Sequence, residues 1–85
     1  MLIVRDWIII NMDNVKIIKK RFEDYEINGE TIEQYLIDIY SIEQSKDSFR
    51  FKDEKERDHA FNLIIESYNL GYKICDLPPP EIVYI

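Results

Sequence analysis

Residues 48–71 constrain the fold more than any other stretch of the chain. Ser48-Phe49-Arg50-Phe51-Lys52 alternates polar and apolar side chains as a half-buried strand does, and Asp53 then opens a helix. Asp53 with Glu56 three residues on makes a D-x-x-E form of the capping box. Asp53, Glu54, Glu56 and Asp58 gather at the positive end of the helix dipole, and Gly71 supplies the residue that most readily takes a left-handed stop. In between, Ala60, Phe61, Ile64, Ile65 and Tyr68 recur at spacings of three and four. Lys55, Asp58, Asn62, Glu66 and Asn69 fall largely opposite. Such a stripe needs a sheet to cover it, and Phe49 and Phe51, on one face of the preceding strand, are the nearest cover.

The segments before it read mainly as strands. Residues 1–10 are dense in β-branched side chains around Arg5-Asp6, which predicts one strand or two short ones meeting at a bulge, with Trp7 and Ile9 on a shared face. Asn11-Met12-Asp13-Asn14 is a turn by composition. Residues 15–22 resume as a strand, with Val15 and Ile17 facing one way and Lys16, Ile18 and Lys20 the other, so that the bases stand toward solvent. Asn28-Gly29 suits a type I′ turn, which wants positive φ at both central residues, and predicts a hairpin with residues 25–27 before it and 30–32 after.

Residues 31–42 fit two templates. Ile32, Tyr35, Leu36 and Ile39 make a helical stripe behind a T-x-x-Q box, whereas Tyr35, Ile37 and Ile39 alternate as a strand. The abundance of Ile, Tyr and Thr selects the strand. Gln44-Ser45-Lys46-Asp47 then turns the chain into the Phe49 strand. The expected fold is α+β: one domain over residues 1–85, with a small antiparallel sheet of about four strands packed by a single C-terminal amphipathic helix. Pro78-Pro79-Pro80 enforces an extended run, and the apolar residues 81–85 beyond it are expected to dock, either on an edge of their own sheet or on a second copy to give a homodimer.

Seventeen acids against eleven bases give a formal charge of −6, which disfavours nucleic acid as a partner. The acid is concentrated: residues 22–47 hold eight acids and one base, net −7, while residues 1–21 are net +3. The longest apolar runs, Leu2-Ile3-Val4 and Trp7-Ile8-Ile9-Ile10, are far too short to span a bilayer. One cysteine, Cys75, and a start without signal-peptide order lead to the expectation of a cytoplasmic protein.

Little in the chain carries catalytic chemistry. One His and one Cys provide no metal-binding spacing, and Asp13 between Asn11 and Asn14 reads as an Asx turn rather than a calcium loop. His59 and Cys75 have no sequence signal that would pair them as base and nucleophile, and acid pairs such as Asp38 with Glu43 or Glu30 with Glu33 read as solvated carboxylates. Both glycines already have turn or cap roles, so no phosphate cradle is available. No cofactor, no metal and no enzymatic activity are expected.

Trp7, Asn11-Met12-Asp13-Asn14-Val15, Phe49-x-Phe51 and Glu56-Arg57-Asp58 occur in an order that resembles small uncharacterised proteins of low-GC Gram-positive bacteria and their phages, over residues 7–66. That resemblance brings no catalytic residues with it. The expected role is a non-catalytic protein–protein interaction module, in its sharper form a phage-type inhibitor. Its acidic face would imitate DNA phosphates before a basic nucleic-acid-handling enzyme. The residues expected on that face are Glu23, Asp24, Glu26, Glu30, Glu33 and Asp38, with Tyr35 and Tyr40 as interface aromatics. Two alternatives stand beside it: a structural or oligomerising protein without ligand, and a weak nucleic-acid binder through the basic strand at residues 16–21.

Overall fold

A computed structural model describes residues 1–79 of the protein. The expected docking of residues 81–85, and the homodimer built on it, lie outside the described residues. The strands are β1 (Leu2–Arg5), β2 (Ile8–Asn11), β3 (Val15–Ile27), β4 (Glu30–Ser41), β5 (Lys46–Phe51) and β6 (Ile74–Asp76), and one helix, α1 (Glu54–Asn69), lies between β5 and β6. The fold class is α+β as expected, and the described residues form six strands in two three-stranded sheets, ordered β2-β1-β6 and β3-β4-β5.

The first ten residues form a hairpin rather than a bulged strand. Arg5 pairs with Ile8, so Asp6 and Trp7 make a two-residue turn with Asp6 at φ 58°, a left-handed conformation that Asp tolerates. Trp7 therefore sits at a turn tip, 82% exposed, and does not share a strand face with Ile9. Residues 74–76 come back to pair with β1 in parallel, Ile3 beside Cys75, and this adds the strand that the sequence did not announce.

The Asn28-Gly29 hairpin is present, with φ of 53° and 79° at its two central residues, and it joins twelve paired positions of β3 and β4. A β-bulge between Val15 and Ile17 reverses the expected facing at the start of β3. Val15 and Ile18 both pack toward the core, and Ile17 is left 47% exposed on the opposite face. The ambiguous segment is the central strand β4. Leu36, Ile37, Asp38 and Ile39 are buried in succession because β3 and β5 flank it on both sides. Ile37 and Ile39 face the core, while register places Arg21 and Arg50 on either side of Leu36 on the far face.

Helix α1 begins and ends as its sequence dictates. Asp53 accepts a hydrogen bond from the Glu56 backbone N–H at 2.8 Å, while the Glu56 carboxylate lies 3.3 Å from Lys52 Nζ. At the other end Gly71, φ 75°, donates to Tyr68 O and Tyr72 donates to Ser67 O, the two bonds of a Schellman motif. The buried stripe, however, runs through Arg57, Ala60, Ile64 and Ser67. Ile65 and Tyr68, expected inside, are 37% and 56% exposed, and Phe61 and Leu63 flank the core instead. Polar residues occupy inward positions because they find partners there: Arg57 donates to Asp58 and Arg21 O and stacks over the Tyr35 ring, and Ser67 bonds the Cys75 thiol. The core they border joins both sheets to the helix through Ile3, Cys75, Ile37, Ile39, Phe49, Phe51, Ala60, Ile64 and Leu77.

Candidate interaction surface

β5 pairs with β4 only from Tyr35 to Tyr40, whereas β3 and β4 continue together to the Asn28-Gly29 turn. Residues 23–34 therefore project past the three-stranded sheet as a two-stranded ribbon, in a molecule 45 Å long and 25 by 21 Å across. The ribbon carries five acids, Glu23, Asp24, Glu26, Glu30 and Glu33, and no base. All five are exposed. Its length follows from the strand-favouring composition of both arms and from the I′ turn; its isolation follows from the shortness of β5.

Pairing places Asp24 directly opposite Glu33, with Glu26 next along that face, alternate residues standing about 6.7 Å apart. Phe22 and Tyr35 share this face, with ring centroids 5.2 Å apart. The Tyr35 hydroxyl donates to Glu33 at 3.0 Å, and that bond raises the phenol above its ordinary pKa. On the reverse face stand Glu23, Glu30, Tyr25, Ile27 and Ile32. There Gln34 donates to the Tyr25 hydroxyl at 3.1 Å, and Arg21 pairs with Glu23 at the ribbon's root. Phe22, Tyr25 and Ile27 are 50%, 38% and 48% exposed, so the ribbon presents apolar side chains among its carboxylates.

Two of the eight expected residues are not part of this surface. Asp38 is wholly buried, accepting from Arg21 Nε at 2.6 Å and Ser48 Oγ at 2.7 Å. Tyr40 lies at the other end of the sheet, half-buried, with Lys19 and Lys46 at 5.2 and 5.9 Å from its ring centroid. Asp38 stands on the sheet face away from the helix, but its cross-strand neighbours close over it, so it is not part of an exposed acidic surface. Three of the four bases at residues 16–21 have partners: Lys19 lies over the Tyr40 ring, Lys20 Nζ lies 3.4 Å from Asp58 and over the Phe61 ring, and Arg21 holds Asp38.

Sequence reasoning missed Ile27 and a second exposed patch. On the outer face of the first sheet Leu2, Ile9 and Ile74 are 36%, 63% and 54% exposed. The β-branched density of residues 1–10 was a signal for strand and concealed that one side of it faces water. His59 and Cys75 serve different places, His59 exposed on α1 and Cys75 in the core against Ser67. Among the described residues no three His, Cys, Asp or Glu side chains are placed to hold a metal, and no helix is long and apolar enough to cross a membrane. Comparison with family models, with curated proteins and with solved structures finds no match for this chain.

Proposed function

We propose that this chain is a protein-interaction module whose projecting acidic ribbon docks on a Lys/Arg-lined surface of another protein. The observation that carries the reading is the Asp24–Glu33 pair. Like charges directly opposite in an antiparallel pair destabilise it, and a two-stranded ribbon is already marginal in water. A cationic partner docking on that face removes the repulsion and covers Phe22, so the same residues that cost stability in the free protein contribute to binding. A groove that handles nucleic acid is basic and elongated, and a ribbon of spaced carboxylates is suited to occupy it as an inhibitor.

The test is affinity capture with the parent and with an Asp24→Lys/Glu26→Lys variant on the same lysate. A basic protein held by the parent at low salt, released at high salt and not held by the variant supports the reading. Identical capture by both proteins, or capture indifferent to salt, refutes it.

A second reading, self-association, draws on the exposed apolar side chains of the first sheet, Ile9 and Ile74 on its outer face and Trp7 at its hairpin turn. Trp is the residue type that most often anchors an interface. Light scattering on the parent and on Trp7→Ser distinguishes the two: a dimer that the substitution converts to monomer favours self-association, and a monomer in both excludes it.

A further inference from the structure

Arg5 is a buried cation whose counter-charge no described residue supplies. It is 6% exposed, and it is held by two backbone carbonyls and two rings. Nε donates to Pro78 O at 3.0 Å, Nη2 donates to Arg50 O at 2.7 Å, and the central carbon lies 5.5 and 4.3 Å from the Phe49 and Phe51 ring centroids. Among the described residues it forms no ion pair, and Nη1 has no hydrogen-bond acceptor. Buried charges are ordinarily paired, because the hydration lost on burial has to be replaced. Burial accordingly pushes the guanidinium below its ordinary pKa, against the upward pull of the Glu56 charge.

Arg5 lines a groove of about 660 Å³, a size usual for ligand-binding clefts. Phe51, Ala60, Pro78 and Pro79 give the groove an apolar lining, and Lys55 and His59, exposed one turn apart on α1, line it too. Its two carboxylates are already engaged: Asp53 caps α1 through the Glu56 N–H, and Glu56 lies 3.3 Å from Lys52 Nζ. We infer that the groove binds a small organic monocarboxylate with an apolar body. The carboxylate accepts from Arg5 Nη1 on the Lys55 side of the groove, and the body packs on Phe51, Ala60 and the two prolines. The buried guanidinium selects an anion, and the apolar lining selects the body. Asp53 and Glu56 select against a dianion such as a phosphate monoester by like-charge repulsion. The complementarity is local, since a chain of net charge −6 repels anions as a whole. The groove shares no residue with the acidic ribbon, and its ligand is independent of the role proposed there.

Titrating the isotope-labelled full chain with phenylacetate, followed by NMR, tests this. Saturable shifts are expected at the Arg5 Nε–H, which is bonded to Pro78 O, and at the amides of Lys55, His59 and Ala60. Phenylacetamide, which lacks the charge, and acetate, which lacks the body, should each bind about tenfold more weakly or worse. Lys55→Glu should weaken phenylacetate about fivefold, whereas Lys16→Glu, the same change of charge on β3 outside the groove, should leave its affinity unchanged. Arg5→Met should abolish binding; if that variant does not fold, the Arg5 Nε–H shift and the two lysine variants decide the matter. The proposal is overturned by shifts that do not saturate or that miss the groove, by equal binding of phenylacetamide or acetate, or by equal weakening in both lysine variants. Phenyl phosphate binding more tightly than phenylacetate overturns the assignment of a monocarboxylate.

Discussion

Arg21 Nε donates to Asp38 Oδ2 at 2.6 Å across the β3–β4 pair, and this contact keeps a carboxylate ionised at a position with no exposed surface. Burial alone pushes the Asp38 carboxyl up. Hydrogen bonds from Arg21 and Ser48, with the charges of Arg21 and Lys46, outweigh it and hold the pKa below the ordinary carboxylate value. The face away from the helix is therefore closed at its centre by a polar network rather than by a second layer of protein.

Removing the arginine should expose the cost of that arrangement. Arg21→Met leaves Asp38 buried with Ser48 as its remaining hydrogen-bond donor, and a loss of about 2 kcal/mol is expected in urea unfolding. The pH dependence has a definite sign. Because the folded-state pKa of Asp38 lies below its unfolded value, its contribution is fully present above the unfolded pKa and disappears as pH falls through the folded one. The parent should lose stability on acidification below the ordinary carboxylate range, and an Asp38→Asn variant should show a shallower loss over the same interval.

Asp24→Lys should move stability and binding in opposite directions. The substitution replaces a like-charge cross-strand pair with an opposite-charge one facing Glu33, for an expected gain of about 0.5 kcal/mol in thermal or chemical unfolding. A ribbon shaped for a basic partner should lose that partner at the same time. A variant that is both less stable and fully competent in binding contradicts the role assigned to the ribbon.

The helix ends offer a cleaner comparison, since each depends on one residue. Asp53→Ala removes the acceptor for the Glu56 N–H and should cost about 1 kcal/mol. Gly71→Ala should cost about 1 kcal/mol through backbone strain alone. No atom lies within 4 Å of an added Cβ there, while φ stays at 75°. Equilibrium unfolding of both variants, with unchanged denaturant slopes, checks the pair.

Cys75 should be inert in the native protein. Burial pushes its thiol up, against a weaker downward pull from the Ser67 hydroxyl, and Asp76 adds to the rise. A thiol reagent at pH 8 should modify it only as fast as the protein unfolds, and Ser67→Ala should leave that behaviour unchanged. Rapid modification of the folded chain would show a thiol that is accessible and ionised.

The features legible in the sequence share a short range. Asn28-Gly29 makes its turn because two adjacent residues accept positive φ, Asp53 caps because its side chain reaches a backbone N–H three residues on, and Gly71 stops the helix because it lacks a Cβ. The five acids of the ribbon were legible for the same reason, lying within a few residues on either side of one turn. Tertiary structure decided what those pieces meet. β6 joins β1 only because the chain after Gly71 returns to its beginning. The ribbon stands alone because β5 ends its pairing at Tyr35, and the helix turns Arg57 and Ser67 inward because β3 and β6 present partners to them. Charged Arg5, Asp38 and Arg57 are buried for the same cause. A lone charge is expelled to water by its hydration, and it stays inside only where groups from distant parts of the chain arrive to replace that water.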